Sequence, residues 1–246
     1  MSEAVSRVAG GIQVNGHLLF VDLFHAHLQV WSVEHQRIFP WRTTDNPFHI
    51  LIAEMMLRRT QARQVIPVYN QFVAQYPDAQ TLAKAPPEEV TRLLFPLGLT
   101  WRVPAFQAVA QVLVTKHDGQ VPGHYETLLT LPGVGDYVAS AVCSFGFGQA
   151  IPIIDTNTVR VAGRLFGVAT HAESRRRQPI RRLLKALLDE HNPRAYNYHL
   201  LDLAALICTP AHPRCESCPL VRCCATGQML TAGILFRLDL SDKLKL

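Results

Sequence analysis

Four cysteines near the carboxyl end of the chain form a candidate metal site. Cys208, Cys215, Cys218 and Cys224 lie within 17 residues, at the spacing C-x6-C-x2-C-x5-C. Short loops return each sulfur to the same region, so four thiolates can surround one metal centre. The spacing suits a [4Fe–4S] cluster, which takes four thiolates, better than zinc, which favours two C-x2–4-C pairs. Zinc binding and unliganded thiols are the alternatives.

Two further cysteines complete the six in the sequence. Cys223 adjoins Cys224 and can replace it as a ligand. Cys143 is remote from the others, on an apolar stretch, and fits a small core residue. The N-terminus shows no secretory leader pattern, so we expect reduced thiols, which favours metal binding over disulfides.

Two acidic residues stand in apolar surroundings, where a carboxylate needs a partner or a chemical purpose. Asp155 follows Ile151-Pro152-Ile153-Ile154 and is expected at the edge of a core. Taken alone, an aspartate before a helix is most often its N-cap, and this role is compatible with catalysis. Glu54 lies inside an apolar helical stretch, where a salt bridge to Arg58 four residues later is the alternative.

A proline and two glycines interrupt the helical pattern at Leu131-Pro132-Gly133-Val134-Gly135. This composition allows a tight turn whose backbone N–H groups face outward at the start of the next helix. Such an arrangement binds phosphate. An ordinary connection between two helices is the alternative.

The composition is that of a globular protein with an excess of positive charge. Apolar residues make up 48% of the 246 residues, charged residues make up 17%, and the net charge is +5. This balance excludes a disordered chain and permits a polyanionic partner. The apolar runs are too short to span a bilayer. Six cysteines in a chain without a secretory leader pattern fit the cytosol, so we expect a cytoplasmic protein. One basic run is either a solvated helix face or a phosphate contact; it comprises Arg175, Arg176, Arg177, Arg181, Arg182 and Lys185.

Hydrophobic periodicity is helical along nearly the whole chain. The predicted helices are 17–36, 48–60, 63–76, 87–95, 103–117, 124–130, 137–148, 179–190 and 196–206. No run alternates as a β-strand does, so the predicted class is all-α. The segment 229–246 has no clear packing signal and is predicted to be a loose tail.

Taken in order, these motifs resemble the helix–hairpin–helix, glycine/proline, aspartate superfamily of DNA glycosylases from about Phe39 to Cys224. The hairpin followed by Asp155 is similar to the superfamily signature. The cysteine spacing resembles the iron–sulfur branch, which includes endonuclease III. Phe39-Pro40-Trp41-Arg42 resembles the opening of MutY-type adenine glycosylases and of Mig-type thymine/uracil mismatch glycosylases.

The resemblance implies a two-lobed helix–hairpin–helix glycosylase fold with a C-terminal iron–sulfur loop. One lobe is a six-helix barrel at 46–149, which ends in the helix–hairpin–helix motif at about 124–146. The other lobe joins 1–45 to 150–228 and carries the [4Fe–4S] cluster. The implied partner is double-stranded DNA with a mismatched or damaged base, bound by a monomer at the nucleoid. One nucleotide would be flipped into a pocket, because chemistry on a base requires it to leave the stack.

Four residues take catalytic roles under this resemblance. Asp155 would stabilise the oxocarbenium-like sugar and guide the nucleophile, and Glu54 would protonate the departing base or position water. Asn157 matches an asparagine that orients water or the aspartate in adenine enzymes. Tyr137 stands where endonuclease III-like enzymes carry a lysine that forms a Schiff base, so it predicts an enzyme without lyase activity. A packed aromatic side chain is the alternative role for Tyr137.

The resemblance also implies a set of DNA contacts. They are Gly133, Val134, Gly135, Arg58, Arg59, Trp101, Arg214 and Arg222. Arg59 falls where a glutamine fills the hole left by the flipped base in relatives, although both arginines of this pair can hold phosphate instead. Trp101 is either a wedge in the duplex or a core residue. Arg214 and Arg222 lie in the cysteine loop, which we define as Cys208–Cys224, and can meet phosphate.

Three departures from the adenine enzymes decide the expected base. Those enzymes usually read M-L-Q-Q-T where this chain has Met56-Leu57-Arg58-Arg59-Thr60, and the double arginine resembles the Mig group. They carry G-L-G-Y-Y-S-R where this chain has Gly98-Leu99-Thr100-Trp101-Arg102. With 22 residues after Cys224, the domain that recognises 8-oxoguanine is not expected. We therefore expect removal of thymine or uracil opposite guanine. A truncated adenine glycosylase is the alternative enzyme, and a non-catalytic iron–sulfur DNA-binding module is the alternative of another class.

Overall fold

The computed structural model describes residues 5–8, 10–98 and 100–232. Contacts divide the chain into two compact units. The split unit joins the residues up to Arg37 to those from Ala150 onward, and the continuous unit is Ile38–Gln149. The sequence placed the boundaries at 45/46 and 149/150, so the contacts move the first boundary to 37/38.

Helices make up most of both units. The strands are β1 (Val5–Val8), β2 (Gly11–Val14) and β3 (His17–Phe20). The α-helices are α1 (Val21–His35), α2 (Pro47–Leu57), α3 (Ala62–Gln75), α4 (Ala79–Ala83), α5 (Pro87–Leu94), α6 (Val103–Lys116), α7 (Tyr125–Leu129), α8 (Asp136–Ala141), α9 (Thr156–Phe166), α10 (Gln178–Leu187), α11 (Pro193–Leu206) and α12 (Ala225–Thr231). Within the described ranges no helix is long and apolar enough to cross a membrane.

A three-stranded antiparallel sheet opens the split unit, in the order β1–β2–β3. Val5 pairs with Val14 in the first ladder. The turn between β2 and β3 is Asn15-Gly16, with φ of 50° and 83°, as a two-residue type I′ hairpin requires. Val14 and Leu19 are buried in the core that the sheet shares with α1.

The core of the split unit lies between this sheet and the helices α1, α9, α10 and α11. The large side chains at its centre are Ile12, Leu19, Phe24, Leu28, Phe166, Leu183, Leu184, Leu187, Leu200 and Leu203. The cysteine loop packs on this core through Cys208, Cys218, Cys223 and Cys224. α9 and the cysteine loop therefore pack on the same hydrophobic core.

In the continuous unit, α2 is buried along most of its length. Every side chain from Ile50 to Met56 is buried, as expected for a helix that is apolar on all sides. The N-cap Asn46 accepts hydrogen bonds of 2.9 and 3.4 Å from the first turn, and Pro47 occupies a position where no intrahelical N–H is required. α2 packs on α3, on α8 and on the π-helical segment Val142–Gly146.

The predicted helices agree with the observed ones to within three residues at each end over 48–130 and 178–206. Two predictions are wrong. The helix predicted from residue 17 begins at Val21, because His17–Phe20 is a strand. The tail predicted to be loose from residue 229 continues α12 as far as Thr231, and its remainder from residue 233 lies outside the described residues.

Candidate active site and cysteine loop

Asp155 is the N-cap of α9. Its Oδ1 accepts hydrogen bonds from the backbone N–H of Asn157 (2.9 Å) and of Thr158 (2.8 Å), and Thr158 Oγ1 accepts the N–H of Asp155 at 3.0 Å. This reciprocal pair is a capping box. The amide Nδ2 of Asn157 donates to Asp155 Oδ2 at 2.7 Å. The structure thus joins Asp155 and Asn157, as expected, and the aspartate is also the N-cap foreseen from the sequence.

The segment before Asp155 is held by a buried amide. Asn197 on α11 is 0% exposed. Its Oδ1 accepts the N–H of Ile153 at 3.1 Å, and its Nδ2 donates to the carbonyl oxygen of Ile151 at 3.0 Å. The amide side chain thus satisfies backbone groups of this segment, as a paired strand would. These two hydrogen bonds fix the position of the segment that leads into Asp155. The sequence analysis did not single out Asn197, because α11 also carries Arg194, His199 and Asp202 and the sequence does not show which of these polar side chains is buried.

Arg160, one turn further along α9, connects this carboxylate to the cysteine loop. Its Nη1 donates to Asn157 Oδ1 at 3.1 Å, its Nε to the carbonyl oxygen of Cys208 at 2.9 Å, and its Nη2 to that of Ala204 at 2.9 Å. Burial lowers the pKa of the Arg160 guanidinium, and the charges of Cys208 and Asp155 oppose that shift. The sequence analysis gave Arg160 no role.

Glu54 lies in the continuous unit, on the buried helix α2, and is 3% exposed. The proposed i,i+4 pairing with Arg58 assumed one continuous helix. Arg58 instead lies past the helix end in an extended conformation, and its Nη1 donates to the carbonyl oxygen of Gly133 at 2.9 Å. α2 therefore connects a buried acid to the glycine-rich hairpin.

The hairpin between α7 and α8 depends on its two glycines for different reasons. Gly133 has a φ of +77°, and a Cβ there would lie 2.9 Å from the Cβ of Ala105, so the position excludes other side chains. A Cβ on Gly135 would meet nothing within 4 Å. Gly135 thus leaves open space outside the turn, as required where another molecule approaches the backbone closely.

Val134 is a partial correction to the predicted hairpin. Its side chain is buried, and its N–H donates to the carbonyl oxygen of Leu131 at 3.1 Å. That N–H therefore stabilises the turn and is not one of the outward donors that the motif suggested. Asp136, at the first position of α8, accepts a hydrogen bond from the hydroxyl of Tyr125. Tyr137 follows it and is half-buried.

The remaining predicted DNA contacts are surface residues. Trp101 is 66% exposed, so the core alternative for it is wrong. Arg59, Arg214 and Arg222 are also exposed. Arg214 precedes the single turn Cys215–Ser217 in the cysteine loop. The surface of the cysteine loop therefore carries positive charge.

The cysteine loop brings its sulfurs close enough to influence one another. Burial raises the pKa of the Cys218 and Cys224 thiols to about 12, and the neighbouring cysteines add to both shifts. Arg164 Nη1 donates to Cys208 Sγ at 3.4 Å, and the N–H of Gly227 donates to Cys224 Sγ at 3.3 Å. Such N–H groups stabilise thiolate ligands of iron.

Within residues 5–8, 10–98 and 100–232, no group of three or more His, Cys, Asp or Glu side chains is arranged to hold a metal ion. A [4Fe–4S] cluster takes four thiolates. The four free thiols, two of which accept an N–H hydrogen bond, would suit such a group in donor type.

Cys223 and Cys224 make similar thiol contacts. The Sγ of Cys223 donates to the carbonyl oxygen of Leu220 at 3.3 Å, and the Sγ of Cys224 donates to that of Arg164 at 3.3 Å. The carbonyl oxygen of Cys223 is 3.0 Å from Nε2 of His17 on β3. Cys143 is fully buried, and burial raises the pKa of its thiol to about 11, as for the small core residue that the sequence suggested.

A family model described as HhH-GPD superfamily base excision DNA repair protein matches residues 52–186. The chain belongs to this superfamily. It is a base-excision DNA glycosylase, a hydrolase of N-glycosyl bonds, and DNA is its partner. The matched range contains the second half of α2 with Glu54, the hairpin and the Asp155 helix, so the expected superfamily and enzyme class are confirmed.

Similar proteins include glycosylases for two kinds of base. A thymine-DNA glycosylase from Aeropyrum pernix is 36% identical over 203 residues, which are 80% of this chain and 90% of that protein. An adenine DNA glycosylase from Mycolicibacterium smegmatis is 33% identical over 208 residues, which are 84% of this chain and 71% of that protein. The solved structure of a thermostable thymine-DNA glycosylase matches with a TM-score of 0.78 at 31% identity, covering 85% of this chain and 96% of that one. The last match confirms the helical glycosylase fold.

Proposed function

We propose that this glycosylase removes thymine or uracil paired with guanine and leaves the DNA strand intact. The observation that carries the proposal is the Asp155 carboxylate, which accepts three hydrogen bonds from Asn157 and Thr158. The carboxylate is held in this way at the start of a helix. The thymine-DNA glycosylase from Aeropyrum pernix supports the choice of base.

In the proposed mechanism, Asp155 stabilises the positive charge that develops on the sugar as the base departs. Its Oδ1 is occupied by two backbone N–H groups, and Asn157 Nδ2 fixes Oδ2. Asn157 is itself held by Arg160 at 3.1 Å. The carboxylate therefore needs no reorganisation when the charge appears, which is the condition for effective electrostatic catalysis.

Glu54 supplies the second acid. It is buried on α2 and would protonate the departing base or position the water that adds to the sugar. Tyr137 contributes a phenol where a lysine would give an amine, so no Schiff base forms at the sugar. Base release then leaves an abasic site that only alkali or heat converts to a break.

We further propose that Cys208, Cys215, Cys218 and Cys224 hold a [4Fe–4S] cluster. When bound, the cluster would fix the loop that carries Arg214 and Arg222, and it would take no part in hydrolysis. Both arginines are exposed, as required for contact with phosphate. The protein would act as a monomer on duplex DNA, with affinity that falls steeply with salt.

A panel of end-labelled duplexes tests the base. Under single-turnover conditions, duplexes with G·T, G·U, A·G and A·8-oxoguanine are incubated with the enzyme, with and without subsequent alkali. We expect release from G·T and G·U, and strand breaks only after alkali. Release of adenine alone would favour the second candidate, to which the similarity to the adenine DNA glycosylase of Mycolicibacterium smegmatis points. Breaks without alkali, with an adduct trapped by borohydride, would contradict the monofunctional assignment.

A further inference from the structure

Arg102 is a buried arginine that caps the C-terminus of α2 from another part of the chain. It lies directly before α6 and is 8% exposed. Its Nη1 donates to the carbonyl oxygens of Arg58 and of Met55, the latter at 3.3 Å, and its Nη2 donates to Thr60 Oγ1 at 3.3 Å. The last carbonyls of a helix have no intrahelical donor, and Arg102 provides one.

The residue enclosed by these contacts is in an uncommon conformation. Arg59 has a φ of +59°, in the left-handed region, where a residue with a Cβ is disfavoured. Arg102 holds the carbonyl oxygen of Arg58 on one side of it and the hydroxyl of Thr60 on the other. Such a conformation persists only where the surroundings impose it, and it is found most often at functional positions.

The same contacts bring three positive charges together. Burial, followed by the charges of Arg58 and Arg59, lowers the pKa of the Arg102 guanidinium. Arg58 and Arg59 are both exposed. Arg58 is held at the surface, because its Nη1 donates to the carbonyl oxygen of Gly133 at 2.9 Å. The turn therefore places the Arg59 guanidinium at the surface beside that of Arg58, and an anionic or electron-rich ligand relieves the repulsion among the three positive charges.

We propose that Arg102 is a positioning residue for DNA recognition, which imposes the left-handed turn that presents Arg59 to the duplex at the extruded nucleotide. The inference deepens the proposed function and rests on it for the contact between Arg59 and DNA. The guanidinium of Arg59 would meet a guanine edge or a phosphate. Arg102 itself would touch no nucleotide.

A double-mutant cycle tests the proposal. The variants are Arg102→Met, Arg59→Ala and the two combined, with Arg92→Met, an exposed arginine of α5, as the control for loss of one positive charge. The measurements are the Kd for a duplex with an abasic-site analogue opposite guanine, the single-turnover rate, and the Tm. We expect Arg102→Met and Arg59→Ala each to raise the Kd about tenfold. The Kd of the combined variant should not exceed the larger Kd of the two single variants. Arg92→Met should bind DNA as the wild type does. Independent losses that multiply in the combined variant would overturn the proposal, as would wild-type binding by Arg102→Met.

Arg59→Gly separates positioning from a purely structural role. Glycine accepts the left-handed conformation, so this variant should raise the Tm while it weakens DNA binding as much as Arg59→Ala does. An unchanged Kd for Arg59→Gly would contradict the contact between the Arg59 side chain and DNA, and with it the proposal. If Arg102→Met does not fold, Thr60→Val provides a milder change, because it removes one acceptor of Arg102. This variant should weaken DNA binding by a smaller factor. A Thr60→Val protein that binds DNA as the wild type does would count against the proposal. The abasic-site analogue carries no base at the target position. The cycle therefore tests the role of Arg102 independently of which base the wild-type enzyme removes.

Discussion

The carbonyl oxygen of Cys208 accepts a hydrogen bond of 2.9 Å from Nε of Arg160. Through the other side of its guanidinium, Arg160 also holds Asn157, which in turn donates to Asp155. Three successive hydrogen bonds therefore connect the first cysteine of the loop to the proposed catalytic carboxylate. The order of the cysteine loop and the position of Asn157 are coupled in this way.

Arg160→Met should lower the single-turnover rate at least tenfold, because Asn157 loses the donor that fixes its amide. Arg164→Met is the matched control. Arg164 donates to the carbonyl oxygens of Thr209 and Pro210, both at 2.7 Å, and to the sulfur of Cys208, and these contacts do not involve Asn157. Its loss should lower the Tm with a much smaller effect on rate. Equal rate losses in the two variants would show that the network acts only by stabilising the loop.

Asp155→Ala should lower the free energy of unfolding by about 1 kcal/mol, as loss of an N-cap does, and slow base release by at least about 100-fold. Asp78→Ala provides the comparison. Asp78 caps α4 with the same capping box, its Oδ1 accepting the N–H of Thr81 at 2.8 Å. That variant should lose similar stability and keep the wild-type rate, measured under single turnover on the preferred duplex.

Binding to uncleaved duplex should persist in Asp155→Asn, which keeps an acceptor oxygen for the helix cap. A binding-only protein would show no difference in base release between this variant and the wild type, because neither would release any base. Retained binding together with lost release would exclude that function.

Local interactions explain which parts of this site could be predicted from the sequence. The capping of α9 by Asp155 involves residues two and three positions away, so the local pattern contains it. The role of Arg102 depends on α6 meeting the end of α2, and no local pattern distinguishes it from a surface arginine. The burial of Asn197 likewise depends on tertiary contacts, because α11 carries other polar side chains and the sequence does not show which of them is buried.

The N-terminal sheet was missed for a different reason. Asn15-Gly16 is a strong signal for a type I′ hairpin, but the apolar residues after it also satisfy the spacing of a helix. A run from His17 to Phe20 is too short for periodicity to separate strand from helix. The sheet is decided by burial of Val14 and Leu19 against α1, which is a tertiary contact.

Gly135→Ala should keep the stability of the protein and weaken its DNA binding. An added Cβ meets nothing within 4 Å in the free protein, whereas it would occupy the space that a phosphate needs.

Gly133→Ala should instead lower the free energy of unfolding by about 1–3 kcal/mol, because φ is +77° and the Cβ of Ala105 is 2.9 Å away. Thermal melts and binding titrations at two salt concentrations check both. Wild-type affinity in Gly135→Ala would remove the hairpin from the DNA interface.

Replacement of each loop cysteine by serine should divide them into two groups. Cys208, Cys215, Cys218 and Cys224 are the proposed ligands, so their variants should lose iron, visible absorbance and affinity for DNA together. Cys223→Ser should keep all three, because Cys223 is not one of the four proposed ligands. Cys143→Ser, in the core of the continuous unit, should alter stability alone.

Metal analysis of the purified protein decides between the alternatives: about four irons per chain support the cluster, and one zinc contradicts it. A Cys223→Ser protein that loses its iron while Cys224→Ser keeps it would reverse the assignment of the fourth ligand.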